Sequence, residues 1–149
     1  MILRETTDTT KLAELSKSAQ TGLTAYNLQS GFPGNVNWAS FGYYFTDKSQ
    51  NSIGDTHIQA AACCRFKGSW VHIDLIWVNQ TLRGHGYGQK LLQAIEEKAR
   101  DKGCIGLHLT TFEFQAPDFY IKHGFETFAT LDDFPIKGHQ RLYMIKRLG

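Results

Sequence analysis

The sequence predicts a mixed α/β fold, a mostly antiparallel sheet of about six to seven strands flanked by about four helices. Three observations carry that expectation. Aromatic and β-branched runs recur from residue 36 to the end, an amphipathic helical pattern follows a glycine-rich turn in mid-chain, and 149 residues suffice for one core without staples.

The first element is helical. In "TKLAELSKSAQTGLTAYNLQS", Leu12, Leu15, Ala19, Leu23 and Tyr26 recur at helical spacing, and Gly22 is a candidate break between two helices. "SGFPGN" reads as a loop. "VNWASFGYYFTD" is an aromatic strand, "DKSQNSIGDT" a turn, and "HIQAAACCRF" the returning strand of a hairpin. After the tight turn "KGS", "WVHIDLIWV" makes a third antiparallel strand. "GYGQKLLQAIEEKARDKG" then places Leu91, Leu92, Ile95 and Ala99 on one helical side, with Gly103 as the stop. "CIGLHLTTF" returns to strand, "APDFYIKHG" is a short helix with Pro117 in its first turn, and "FETFATL" and "HQRLYMIKRL" are the last strands. The strand, helix and strand around the glycine turn predict a parallel pair with a right-handed crossover.

Composition narrows the function classes. A hydrophobic fraction of 42% with 20% charged residues is ordinary for a globular chain and argues against disorder. The net charge of +2 is spread along the chain, so no nucleic-acid footprint is expected. The start "MILRETTDTT" lacks the basic head and apolar stretch of a signal peptide, and no run is long enough to span a bilayer, which predicts a cytoplasmic protein without a membrane partner. Cys63, Cys64 and Cys104 form neither a disulfide framework nor a C-x-x-C pattern; all three read as reduced, the adjacent pair as small apolar packing. No His spacing suggests zinc, and no metal is expected.

The turn "TLRGHGYGQKLL" carries the chemistry. A strand that enters a glycine-rich turn and then a helix leaves free N–H groups at the helix start, which together with the helix dipole attract phosphate. A connection that binds nothing is the simpler alternative, but three alternating glycines exceed what a connection needs. The Walker pattern fails because Lys90 has no following Ser or Thr, and the dinucleotide fingerprint fails because Gln89 stands where its third glycine is due.

Arg83-Gly84-His85-Gly86-Tyr87-Gly88 resembles the R/Q-x-x-G-x-G/A signature of the GNAT superfamily of acyl-CoA-dependent N-acyltransferases, and "APDFYIKHGF" is similar to that family's A-x-x-F-Y-x-x-x-G-F segment. The order of elements matches over nearly the whole chain. "FQAPDFYIKHGF" followed by "GHQRLYMIKRL" further resembles a bacterial branch of the family. The resemblance implies a single N-acetyltransferase domain over residues 1–149 that moves an acetyl group from acetyl-CoA directly to an amine acceptor. It implies pyrophosphate binding by Arg83, Gly84, His85, Gly86, Tyr87, Gly88 and Gln89, pantetheine pairing by main-chain groups of Ile76 and Val78, and a thiolate proton donor in Tyr120. A phenol with a pKa near ~10 is protonated at neutral pH and suited to that task. Lys122 is a candidate contact to a phosphate of the cofactor.

Asp74 on the strand before the turn and Glu113 near the end of the next strand are candidate proton acceptors, or alternatively recognition charges for the acceptor. Glu113 departs from the family pattern, in which Asn is frequent at this place. His72 shares a strand face with Asp74 by period-two counting unless a bulge intervenes. Trp38 and Tyr44 are candidates for the substrate cleft within an otherwise core-forming aromatic group, and His139 for the acceptor pocket. A catalytically inactive acyl-CoA-binding sensor or scaffold is the alternative, as is a plain interaction domain; a homodimer is an open expectation.

Overall fold

The computed structural model describes residues 3–46 and 58–149; the turn expected at 47–56 lies outside them. The chain divides after Val36 into two compact units. The first contains α1 (Thr9–Gln29), which starts on an N-cap Asp8 whose side chain accepts the Lys11 N–H. Gly22 does not break it. Helix propensity lost at one glycine, about 1 kcal/mol, is too small to split a 21-residue helix with a good cap.

The second unit, Asn37–Gly149, is a six-stranded sheet with two α-helices. Its elements are β1 (Ser40–Thr46), β2 (Ile58–Lys67), β3 (Trp70–Val78), a 3-10 turn (Gln80–Leu82), α2 (Tyr87–Asp101), β4 (Gly106–Phe112), α3 (Pro117–Lys122), β5 (Glu126–Asp132) and β6 (Gln140–Arg147). The strand order is β1-β2-β3-β4-β6-β5. Every neighbouring pair is antiparallel except β3–β4, because α2 carries the chain back between those two strands as a crossover must. The sheet therefore has six strands, at the lower end of the expected range. The described residues hold three α-helices where about four were expected, because Gly22 leaves α1 whole.

One face of the sheet supplies the core. Val71, Ile73, Leu107, Leu109 and Met144, each with at most 3% of their surface exposed, pack against Leu91, Leu92, Ile95 and Ala99 of α2. Strand period two and helix period 3.6 are what bring these positions together. At the far end of α2 the chain closes in a Schellman arrangement, with the Cys104 N–H on the Ala99 carbonyl and the Gly103 N–H on that of Arg100.

Two irregularities open the sheet at the end of β3. The β3–β4 ladder runs only from Trp70↔Gly106 to Ile73↔Leu109. In the β2–β3 register, Cys63 faces Leu75 and Cys64 faces Ile73, so Asp74 is the extra residue of a β-bulge. Bulges bend their strand and increase its twist. This one falls one residue beyond the last β3–β4 pair, and past it the two parallel strands no longer pair.

Candidate active site

The gap beyond Ile73 and Leu109 is a cleft of about 720 Å³. One wall is β3 from Asp74 to Val78, another the turn and first residues of α2, and a third the end of β4 with α3. The Asn79 N–H donates to the Gln59 carbonyl across the hairpin, so by strand alternation the main-chain groups of Ile76 and Val78 face away from β2. They form an open sheet edge along the cleft. Arg83 folds back onto this edge, its Nε donating to the Val78 carbonyl at 3.2 Å.

The start of α2 faces the same space. Lys90 is the first residue whose N–H bonds back within the helix, to the Gly86 carbonyl, and the N-cap has no side chain to offer. The N–H groups of Tyr87, Gly88 and Gln89 thus have no intrahelical acceptor. The Arg83 and His85 N–H groups are already used, by the Gln80 and Leu82 carbonyls, which narrows the donors expected from the sequence. Gly86 has φ +82°, a left-handed conformation that a Cβ opposes. Gly88 serves packing: a Cβ there would lie 3.0 Å from Phe119 Cζ, so its absence lets α3 approach the head of α2.

α3 brings Tyr120 to the cleft. Its ring lies edge-to-face against Phe119 and Phe125, with centroids 5.1 and 5.7 Å away. Burial pushes its phenol pKa up, so the hydroxyl keeps its proton at neutral pH. The helix begins on Ala116, also in the cleft wall, at φ 56° and ψ 57°. A non-glycine residue held in this region costs about 1 kcal/mol or more, and such strain gathers at functional sites. His123 also lines the space and donates from Nδ1 to the Phe119 carbonyl at 2.6 Å.

The two candidate carboxylates part company. Asp74 lines the cleft; its carboxylate is gripped by Arg65 Nε at 2.9 and 3.0 Å and by the same residue's Nη2, and its Oδ1 lies 3.5 Å from His72 Nε2. His72 faces His108 across the β3–β4 register. Glu113 does not line the cleft. It is tied to the start of β6, accepting from His139 Nδ1 at 2.6 Å and the Gln140 N–H at 2.9 Å. The His139 hydrogen bond, and after it the Gln140 N–H, hold its carboxyl below the usual range.

Of the other expected residues, Ile76, Val78, Arg83, Gly84, Gly86, Tyr87, Gly88 and Gln89 all border the cleft. His85 and Lys122 are exposed outside its wall, the former donating from Nδ1 to the Arg83 carbonyl at 3.0 Å. Trp38, Tyr44 and His139 are not in the wall either. Thr110, Phe114, Gln115 and His123 are wall residues that the sequence did not single out. Phe114, Gln115 and His123 flank or follow the A-x-x-F-Y segment and were within its reach as a signal; Thr110 needed the point where β3 and β4 separate.

The sheet thus opens beside a helix start whose first N–H groups have no intrahelical acceptor, with the buried Tyr120 phenol lining the same cleft. The profile of the Acetyltransferase (GNAT) family matches residues 19–125, and the chain belongs to that family of acyl-CoA-dependent N-acyltransferases. Acetyltransferase Atu2258 of Agrobacterium fabrum is 28% identical over 139 residues, 91% of each chain. Blasticidin-S acetyltransferase of Streptomyces morookaense is 43% identical over 67 residues, a match spanning 44% of this chain and only about half, 49%, of that protein. A crystal structure of an acetyltransferase from Bacillus cereus superposes with a TM-score of 0.80 and 29% identity, covering 99% of this chain and 97% of that one.

Proposed function

We propose that the chain is an N-acetyltransferase, one catalytic domain that transfers an acetyl group from acetyl-CoA directly to a primary amine of a small molecule or peptide in the cytoplasm. The observation that carries this reading is the joint presence, around one cleft, of the unpaired N–H groups at the start of α2, the open main-chain edge of β3 and the buried Tyr120 phenol. The donor set fits the ligand: main-chain N–H groups and a helix dipole suit a diphosphate, a bare strand edge suits the amides of a pantetheine arm, and the cleft has the volume for the arm's end.

Acetyl-CoA, when bound, supplies an activated thioester. The chain does the rest. Tyr87, Gly88 and Gln89 present N–H donors, and Gly86 keeps the loop in the left-handed turn that aims them. Ile76 and Val78 align the strand edge. Tyr120 donates a proton to the departing sulfur, for which its raised pKa keeps it loaded near neutral pH. Asp74 stands where the incoming ammonium must lose its proton. With its oxygens engaged by Arg65, it relays that proton toward His72, whose imidazole is kept neutral by burial and so is free to accept one in passing.

The test has two arms. Thermal melts with acetyl-CoA at about 100 times its dissociation constant are expected to show about 2.7 kcal/mol of stabilisation, and a panel of amines screened for thiol release is expected to yield turnover. Binding without turnover on any amine, and unchanged by Tyr120→Phe, would favour the inactive acyl-CoA sensor instead. No stabilisation would remove both readings.

A further inference from the structure

Arg141 sits near the start of β6, opposite Phe112 in the β4–β6 register. Its guanidinium carbon lies 5.3 Å from the Phe112 ring centre and 5.2 Å from that of Phe134, two rings stacked within 7° of parallel. Phe112 in turn stacks on Phe114 at 5.2 Å, and Phe114 is a wall of the cleft. The guanidinium is thus set in an aromatic frame, one ring removed from the cleft wall.

Its charge has no carboxylate partner among the described residues. Among the described residues the ion pairs engage Lys11, Arg65, His72, His139 and Lys146, and Arg141 is in none of them. The carboxylate next in chain to Phe112, that of Glu113, is turned to His139 and the Gln140 N–H. Arg141 Nε is buried and makes no hydrogen bond among the described residues. A buried donor without an acceptor is rare in folded proteins and calls for a partner, and a planar fork framed by rings is suited to a carboxylate.

We propose, building on the transferase reading above, that Arg141 is a specificity residue that receives a carboxylate of the amine acceptor. Alternation places Phe112, and Arg141 opposite it, on the sheet face away from α2, since Thr111 and Leu109 before it are buried on the α2 side. Asp74, two strands over, is near the level of Thr110. With strands about 4.8 Å apart and about 3.4 Å per residue along them, the two points are separated by on the order of 10 Å. The acceptor class is therefore an extended amino acid or short peptide whose reacting amine lies far along the molecule from its carboxylate, a lysine-like ω-amine rather than a compact α-amino acid.

Nα-acetyl-lysine and Nα-acetyl-lysinamide differ only in that carboxylate, so their kcat/KM ratio reads the contact. The expected ratio is about tenfold or more in favour of the acid, the yield of one charge-assisted contact. It should fall to about one in Arg141→Met, which keeps the apolar packing against Phe112 and Phe134, and partly return in Arg141→Lys. Equilibrium binding of the two compounds to the CoA-saturated protein reads the same preference without turnover. Equal binding of acid and amide, or a preference that survives in Arg141→Met, overturns the proposal. Failure of the transferase reading shows separately, as absence of acetyl-CoA binding in the wild type.

Discussion

His72 and His108 meet across the parallel β3–β4 pair with their Nδ1 atoms 3.2 Å apart and their ring centres 4.5 Å apart. At that distance one nitrogen must donate and the other accept, and the lowered pKa values favour the neutral pair. Burial is the main cause that lowers both pKa values; Arg65 and Lys67 push His72 further down, His72 and Lys67 do so for His108, and Asp74 opposes them. In the unfolded chain each imidazole protonates near ~6.5. Below that value the unfolded state binds more protons than the folded one, so stability is complete above it and declines as pH falls toward the lowered folded values. Each proton contributes at most about 1.4 kcal/mol per pH unit. Melts between pH 7.5 and 5 should show this decline, and His108→Asn should flatten it; an unchanged slope in that variant would refute the assignment.

Tyr120→Phe removes one hydroxyl and leaves the ring packing on Phe119 and Phe125. The expected result is a drop in kcat of about 100-fold or more, the usual size for loss of a general acid. The melting temperature and acetyl-CoA affinity should change little, because the hydroxyl makes no hydrogen bond among the described residues. A comparable loss of cofactor affinity would instead make it a binding group.

Gly86 and Gly88 predict different failures. Gly86→Asp forces an L-residue into φ +82° and puts a negative charge beside the N–H groups meant for an anion, so acetyl-CoA affinity should fall by about tenfold or more. Gly88→Val places a branched side chain where even a Cβ would lie 3.0 Å from the Phe119 ring. It should lower stability by about 1–3 kcal/mol, the range for overpacking. Calorimetric binding and thermal melts on both variants check the contrast.

The three thiols should sort by burial. Cys63 is exposed, Cys64 and Cys104 are buried, and burial pushes the Cys64 thiol up to about 12. Since the thiolate is the reactive form, a chromogenic disulfide reagent at pH 8 should titrate one thiol quickly in the folded protein and all three in denaturant. Rapid modification of a Cys63→Ser variant would contradict this.

The sequence made the elements legible where a period was unbroken and bounded by turn chemistry. β3 was delimited to the residue as Trp70–Val78, and α2 began and ended within a residue or two of its glycine turn and Gly103. The parallel pairing of β3 with β4 followed from the crossover. What could not be read was register. The Arg65 grip on Asp74 and the pairing of His72 with His108 depend on which residues stand opposite across strands, and the bulge at Asp74 has no composition signal. The His139–Glu113 contact joins residues 26 apart through the β5–β6 hairpin, whose geometry no local pattern announces.

Asp74 and Glu113 looked equivalent in the sequence, and their surroundings separate them. Asp74 borders the cleft and touches His72, so Asp74→Asn should lower kcat by about 100-fold and weaken the pH dependence of the rate, with Arg65 losing its partner. Glu113 holds His139 and the Gln140 N–H at the head of β6. Its depressed pKa means that its contribution to stability is present above the ordinary carboxylate value near ~4.3 and is lost as pH falls through the lower folded value. Glu113→Gln should therefore leave the pH profile of turnover in place while removing part of the acid unfolding transition below pH ~4.3. Its effect on acceptor KM should exceed that on kcat, because the β5–β6 hairpin carries Phe134 beside Arg141. If Glu113→Gln abolished turnover and Asp74→Asn did not, the proton acceptor would have to be sought at the far end of β4.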